Sequence, residues 1–118
     1  MNRIITNDLG RIIISQEVIA TLAGIAATEC YGIVGMASQK IKDGIVELLG
    51  KEALSKGVQV NLKNDRLQIN VFIIVGYGTK ISEIAYNVMT KVKYTVEKFA
   101  GLSVDHVQVN VQGVRVVD

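Results

Sequence analysis

The clearest signal in this sequence is a β-hairpin, predicted by strict alternation of apolar and polar residues on both sides of a short turn. Residues 58–63 and 66–71 alternate, and the Asn64-Asp65 pair between them tolerates the positive φ of a two-residue turn. A slip of one residue would bury the amides, so the pattern fixes the register. The predicted pairs are Leu62 with Leu67, Val60 with Ile69 and Val58 with Val71 on an apolar face, and Asn61 and Gln59 with Gln68 and Asn70 on a polar face.

Apolar residues at helical spacing predict helices that cover the apolar face of this hairpin. Ser15 is a suitable N-cap for the first helix, and Glu17 in its first turn favours the positive end of the helix dipole. This helix is expected to run to about Tyr31, and Gly32 suits a left-handed C-terminal position. Its predicted buried stripe is Val18, Leu22, Ile25 and Ala26, widened by Ile19, Ala23, Ala27 and Cys30.

Two further helices are predicted, one weak and one strong. The weak one begins at Ser38 and ends near Gly50, with Gly44 destabilising its interior and with Ile41, Ile45, Leu48 and Leu49 on one face. The strong one has Thr79 as its expected cap and ends at Gly101. Its apolar residues keep a period of about 3.6 residues and are Ile81, Ile84, Ala85, Val88, Val92, Val96 and Phe99.

The remaining strands lie at the two ends of the chain. Arg3 to Thr6 and Arg11 to Ile14 are β-prone runs separated by a turn-like tetrad. The last strand carries valines from Val104 to Val116, whose alternation changes phase at Asp105-His106 and at Gln112-Gly113, which predicts two bulges. The order β-α-α-β-β-α-β predicts a single α/β (α+β) domain over residues 1–118. It is a two-layer sandwich with one mixed or antiparallel sheet and with helices mainly on one face.

One stretch of the hairpin is apolar on both faces. Beyond the alternating residues, the second strand continues into Phe72 and Ile74, on the face that is otherwise polar. Either the segment from Ile33 to Leu49 or another subunit has to cover them. Because the outermost strand also offers an unpaired edge, we expect a homodimer or a larger assembly.

Composition excludes several classes of protein. The chain has 118 residues, a formal charge of +2 and a single cysteine, so a second domain, strong attraction to nucleic acid and an internal disulfide are not expected. No secretory signal is visible, and no apolar run approaches the roughly 20 residues that cross a bilayer. We therefore expect a cytosolic protein that reaches a membrane only indirectly, through a partner.

Reactive chemistry is sparse in this sequence. Cys30 and His106 are the only residues of their kinds, so no catalytic, cofactor or metal site is predicted. Cys30 lies in an apolar helix stripe and is interpreted as a buried small residue rather than a reactive thiol. Asp105 and His106 are strand neighbours that point to opposite faces unless a bulge intervenes, which favours a surface or bulge role.

Two glycine-containing segments admit a second interpretation. Residues 76–80 precede a helix and could hold an anion, but the spacing of a phosphate-binding loop is absent, so strand termination plus helix capping is the favoured interpretation. The GXXG of Gly32 to Gly35, between two predicted helices, has the layout of an RNA-binding KH module. Its central residues, Ile33 and Val34, are apolar where a phosphate clamp is usually polar or basic.

Four motifs follow one another along the chain: Gly10-Arg11-Ile12-x-Ile14-Ser15-x-Glu17-Val18-Ile19, Cys30-Tyr31-Gly32-Ile33-Val34-Gly35-Met36, Tyr77-Gly78-x-x-Ile81 and Val107-x-Val109-x-Val111-x-Gly113-Val114. In their order and spacing the chain resembles the alkaline shock protein, or envelope stress response, family of Gram-positive bacteria. The resemblance covers nearly all of residues 10–117. It implies a small, non-enzymatic protein connected with cell-envelope homeostasis and alkaline stress. Larger members carry a long charged tail that does not follow Asp118, so a minimal version of the domain is expected.

The leading hypothesis is an interaction scaffold that binds protein partners and itself, and the alternative is a KH-like RNA-binding module. Candidate interaction residues are Phe72, Ile74, Ile33, Val34 and Met36. The residues that match the family motifs are Gly10, Ser15, Glu17, Gly32, Gly35, Tyr77, Gly78 and Gly113.

Overall fold

The structure, a computed structural model, describes residues 2–42 and 45–116. Within these ranges the predicted α+β class and two-layer architecture are confirmed, with helices covering one face of a mixed sheet. The elements in chain order are β1 (Asn2–Asn7), β2 (Gly10–Ser15), α1 (Gln16–Thr28), β3 (Ile33–Lys42), β4 (Ile45–Leu48), a 3₁₀ helix (Lys51–Gly57), β5 (Val58–Lys63), β6 (Arg66–Gly76), α2 (Ile81–Ala100) and β7 (Val104–Arg115).

The β5–β6 hairpin has the register that the alternation predicts. Val58 pairs with Val71, Val60 with Ile69 and Leu62 with Leu67. Asn64 and Asp65 form the turn with φ of +53° and +61°, the left-handed values that a two-residue turn of this kind requires. On the polar face, the Asn70 side-chain amide donates to Gln59 Oε1 at 3.0 Å.

Strand β6 is the centre of the sheet. On one edge its first half pairs with β5 and its second half with β3, and on the other edge β7 runs parallel to nearly its full length. The register of β7 against β6 skips one residue at Asp105 and another at Gln112. Both predicted bulges are therefore confirmed, and they keep the valines before and between them on the helix-covered face.

Helix α2 buries a narrower stripe than the sequence predicts. Ile84, Val88, Val92, Thr95, Val96 and Ala100 are buried. The prediction was wrong for the two ends of the stripe, since Ile81 and Phe99 are exposed. In the sheet below, Val60, Ile69 and Val71 are buried as expected, whereas Val109 is only partly buried.

Helix α1 faces the core with its small residues, so the predicted stripe is confirmed at Ile19, Ala23, Ala26 and Ala27 and was wrong at Val18 and Ile25. Its buried residues are Ile19, Ala20, Ala23, Gly24, Ala26 and Ala27. Val18 and Ile25 are exposed instead, and Leu22 and Cys30 are partly buried. Small residues permit the close approach that is seen at Gly24, where a Cβ would lie 3.1 Å from Leu54 Cβ.

The helix predicted from Ser38 to Gly50 was wrong, because this segment forms strands β3 and β4. Lys42 pairs with Ile45, and the Leu49 amide donates to Met36 O at 2.9 Å. The two intervening residues are Asp43 and Gly44, a pair that is typical of tight hairpin turns. Both residues lie outside the described residues, so the prediction that Gly44 destabilises the interior of a helix falls there as well.

The apolar second face at the end of β6 is covered within the chain. Ile74 is 1% exposed, and its cross-strand neighbour is Gly35. Leu48 Cδ1 lies 2.8 Å from where a Cβ of Gly35 would be, so β4 folds over this face. Phe72 is half-buried. The segment from Ile33 to Leu49 thus shields Ile74 as a pair of strands, without requiring a second subunit.

Strands β1 and β2 form a two-stranded ribbon that is separate from the main sheet. Their six residue pairs run from Asn2 with Ser15 to Asn7 with Gly10. Arg3 Nη1 lies 3.0 Å from Asp65 Oδ1 and joins the base of the ribbon to the β5–β6 turn. The molecule measures 54 × 28 × 23 Å, which is elongated for its size.

Candidate interaction site

Two connections, from α1 to β3 and from β6 to α2, meet at one corner of the molecule. The Gly76 amide donates to Gly32 O at 2.9 Å, and Ile33 pairs with Val75 immediately beside it. The Tyr77 amide donates to Arg115 O at 2.7 Å, at the end of β7. Backbone hydrogen bonds from three segments therefore fix this corner.

Gly32 allows the two connections to approach α2. Its φ is +87°, and a Cβ at this position would overlap Ile84 Cδ1. Helix α1 ends at Thr28 with Glu29 as its C-cap, so Gly32 does not terminate the helix directly as expected. Its role is to turn the chain into β3 with no side chain between the loop and α2.

The loop from Gly76 to Lys80 ends β6 and leads into α2. Thr79 is not the N-cap that the sequence predicts, because Lys80 occupies that position without a side-chain cap. The Thr79 hydroxyl instead donates to Gly76 O at 2.6 Å and closes the loop on itself. Gly78 supports the turn with a φ of +90°. The geometry of this loop is that of a strand end, which is one of the two interpretations of the segment.

Two exposed tyrosines border grooves at this corner. Tyr31 is 86% exposed and Tyr77 is 76% exposed, although both are attached to ordered backbone. A groove of about 430 Å³ lies between them, lined also by Gly32, Ile33, Val34, Gly76 and Thr79. A second groove of about 250 Å³ lies on the α2 side, lined by Tyr31, Gly78, Thr79, Lys80, Glu83, Ile84 and Asn87. The site thus has an exposed tyrosine on each side, aliphatic side chains between them and polar residues at its edge.

The GXXG segment lies at the start of strand β3. Ile33 pairs with Val75 and Gly35 with Ile74, and both Ile33 and Val34 are half-buried. A KH module needs this loop between two helices. Here a strand follows it, so the structure adds no support to the RNA-binding alternative.

The other sequence-predicted site residues lie elsewhere. Met36 and Ile74 are buried and therefore unavailable to a partner. Ser15 caps α1 by accepting the Val18 amide at 3.2 Å, with Glu17 in the first turn, and Gly10 lies at the ribbon turn. Gly113 pairs with Ile74 just after the second bulge of β7.

Cys30 borders the corner, but its environment disfavours the thiolate. Burial raises the pKa of its thiol, although the charge of Lys91 acts in the opposite direction. The Sγ atom donates to Ala26 O at 3.6 Å. A neutral, partly buried thiol is a poor nucleophile.

His106 lies far from Cys30 along the sheet. It pairs with Gln68, whereas the corner lies at Val75 of the same strand, about 20 Å away at the usual rise per residue. Its Nδ1 is 3.4 Å from Asp105 Oδ2, on the exposed bulge.

In the part of the chain that the structure describes, no three His, Cys, Asp or Glu residues are grouped as metal ligands would be. None of the helices described there has the length and apolar character for crossing a membrane.

Sequence reasoning did not bring Tyr31 and Tyr77 together. The two residues belong to separate motifs, 46 positions apart. The available signal was the repeated Tyr-Gly dipeptide, at residues 31–32 and 77–78, because each glycine has a left-handed φ next to an exposed tyrosine. Tertiary contacts make them neighbours, namely the Gly76 to Gly32 hydrogen bond and the pairing of β3 with β6 beside it.

A solved structure with a similar fold was found by comparison. The C-terminal domain of MamM, in a cadmium form, matches 88% of this chain and 100% of that chain with a TM-score of 0.50. Sequence identity is 12%, so the similarity is one of architecture alone.

Comparison with known sequences identifies relatives along nearly the whole chain. The Bacillus subtilis protein YloU is 60% identical over 110 residues, which cover 92% of each chain. Spy1614 of Streptococcus pyogenes is 44% identical over 92% of this chain and 90% of its own, and YqhY of Bacillus subtilis is 34% identical over 91% and 78%. The family model for alkaline shock protein 23, described by a cell envelope-related function, matches residues 4–116. The chain therefore belongs to the alkaline shock protein 23 family, as the motifs around Gly10, Gly32, Tyr77 and Gly113 predicted.

Proposed function

We propose that this protein is a non-enzymatic interaction scaffold in cell-envelope homeostasis and that it holds a protein partner at the Tyr31–Tyr77 corner. The observation that carries the proposal is the pair of exposed tyrosines on either side of an apolar groove, on backbone fixed by hydrogen bonds. The groove fits an aliphatic or aromatic side chain of the partner. The family's cell envelope-related function supplies the cellular setting.

Tyrosine is well suited to this role. Its ring contributes a large contact area with few rotatable bonds, and its hydroxyl keeps a polar end toward water before binding. Residues of this type are enriched among those that dominate binding energy at protein interfaces. Because the surrounding backbone is already ordered, little conformational entropy remains to be lost on binding.

The non-enzymatic part of the proposal rests on the separation of the reactive groups. Cys30 has a raised pKa, and His106 lies near the opposite end of β6. Nucleophilic catalysis needs a base within hydrogen-bonding distance of the nucleophile. We expect Cys30→Ala and His106→Ala to complement a deletion strain fully under alkaline stress, and loss of complementation by a folded variant would favour an enzyme.

Photocrosslinking in the native host tests the partner site. A photoreactive amino acid at position 77 should capture a discrete protein, and Tyr31→Ala in the same chain should reduce that crosslink at least tenfold. Position 86 provides the matched control, because Tyr86 is also exposed but lies on α2 outside both grooves. Equal crosslinking from positions 77 and 86 would refute the site, and a ribonuclease-sensitive product would support the RNA-binding alternative instead.

Localisation follows from the same proposal. The protein is expected to be cytoplasmic and to reach the membrane through the partner, so Tyr31→Ala should shift it from the membrane fraction to the soluble fraction. An unchanged membrane fraction in this variant would show that recruitment uses another surface.

A further inference from the structure

The outer face of the β1–β2 ribbon presents isoleucines to solvent. Because cross-strand partners share a face, Ile4 and Ile13 lie together with Thr6 and Arg11 on one side. Ile13 is 54% exposed and Ile4 is 46% exposed. On the opposite side, Ile5 and Ile14 are partly buried against the core, and Ile12, nearer the ribbon tip, is 53% exposed. The exposed side is called the outer ribbon face below.

This face continues into a groove on α1. Ser15 belongs to the outer ribbon face through its pairing with Asn2, and it also lines a groove of about 310 Å³ with Glu17, Val18, Thr21 and Leu22. Ile25 lies farther along the helix and is exposed as well. The outer ribbon face and the α1 groove thus adjoin at Ser15, and apolar side chains lie on both sides of it.

Helix α1 has the composition of a helix that is covered on both sides. Its thirteen residues are apolar around the whole circumference, except at Gln16, Glu17, Thr21 and Thr28. Such helices are normally buried within a protein. One side of α1 packs on the core through small residues, and Leu22 is partly buried against the core, while Val18 and Ile25 are exposed on the other side, with no covering element among the described residues.

The charges at the two ends of this surface are complementary. Arg11 lies toward the ribbon tip, and Glu17 lies beside the groove. Among the residues that the structure describes, neither has an ion-pair partner. A surface with opposite charges at its ends can satisfy both by pairing with a copy of itself in the reversed direction.

We propose that a second copy of this chain covers this surface. The two-fold axis is perpendicular to the strands, lies midway between the two stacked outer ribbon faces, and is level with the Ile4–Ile13 pair. The isoleucines of the two outer ribbon faces then stack, and Arg11, about 7 Å from the axis, lies over Ser15 of the partner subunit and beside Glu17 of the partner subunit. Leu9, 98% exposed at the ribbon tip, extends over the first turns of the other α1 and fills the groove.

Sedimentation equilibrium with a matched pair of variants tests the interface. Ile12 and Ile13 are the same residue type in the same strand with nearly equal exposure, 53% and 54%, but they lie on opposite faces of the ribbon. The wild-type protein should be dimeric at tens of micromolar. Ile13→Asp should weaken the dimer at least tenfold, whereas Ile12→Asp should leave it within a factor of about three.

A charge exchange provides the second test. Arg11→Glu and Glu17→Arg should each weaken the dimer, and the double variant should recover most of the affinity because the pair is restored in reverse. Circular dichroism confirms that each variant is folded. A monomeric wild-type protein, equal effects of the Ile12 and Ile13 substitutions, or no recovery in the double variant would overturn the proposal. The interface excludes Tyr31 and Tyr77, so this outcome is independent of the partner site.

Discussion

Two valines in the two helices show how burial determines the importance of a single residue. Val92 of α2 is fully buried above the sheet, and Val18 of α1 is exposed. We predict that Val92→Ala lowers the free energy of unfolding by about 2 kcal/mol through lost burial and a cavity. Val18→Ala, the same chemical change, should cost below about 0.5 kcal/mol. Urea denaturation of the monomer measures both, and equal midpoint shifts would contradict the orientation of the helices.

Asp105 links stability to pH. Desolvation opposes ionisation, but the hydrogen bond with His106 and the charge of Arg66 together lower the pKa of this carboxyl. A carboxyl with a lowered pKa in the folded state stabilises the fold above its ordinary pKa of 3.8, and this stabilisation is lost as the pH falls through the folded value.

The Asp105→Asn variant isolates this effect. It should be slightly less stable than the wild type at neutral pH, and the difference between them should shrink below about pH 4 as Asp105 becomes protonated. Thermal melts from pH 7 to pH 2.5 measure the difference. A difference that grows toward acid would mean that the pKa is raised in the folded protein.

At the scale of elements, the turn of the β5–β6 hairpin is strained at a defined position. Asp65 has a φ of +61° and also pairs with Arg3. Asp65→Gly and Asp65→Ala both remove the ion pair, but only alanine retains the penalty of a left-handed conformation. We predict that Asp65→Ala is less stable than Asp65→Gly by about 1 kcal/mol in urea denaturation. Equal stabilities would show that the turn relaxes to another conformation.

Elements with one apolar face could be predicted from the sequence. The β5–β6 hairpin and α2 each bury one side, so their periodicity specified their register and most of their buried face. The bulges of β7 were equally visible, because the valine alternation changes phase at Asp105 and Gln112. The family motifs could also be recognised in the sequence, but nothing in the sequence indicated that the motifs at Gly32 and Tyr77 are adjacent in the fold.

Elements without such a contrast were predicted wrongly. Helix α1 is apolar all round, so periodicity could not tell the face with Ala23 from the face with Val18. In residues 38–50 the apolar positions do not separate a helix from a strand, and the outcome depends on pairing: residues 33–36 of β3 pair with β6, and the rest of β3 pairs with β4. The Asp43-Gly44 dipeptide was the local signal for that outcome.

At the scale of the whole molecule, the ribbon is separable from the rest of the fold. It forms its own sheet, and its contacts with the body include the exposed Arg3–Asp65 pair and the partly buried Ile5 and Ile14. Deleting residues 2–12 should leave cooperative thermal unfolding intact and lower the melting temperature by roughly 5–10 °C. Loss of cooperative unfolding in circular dichroism would show that the ribbon is required for the core.

The irregular register of β7 bears on whether a foreign strand can extend the sheet along this edge. Among the residues that the structure describes, β7 pairs with β6 and with no other strand, so the hydrogen-bonding groups on its other side are open to an extended chain. The extra residues at Asp105 and Gln112 break the even spacing of those groups, and a foreign strand can match only the short stretch between them. We therefore expect the two bulges of β7 to oppose fibril growth from this edge, in a protein that also carries isoleucine-rich strands and a half-exposed apolar ribbon.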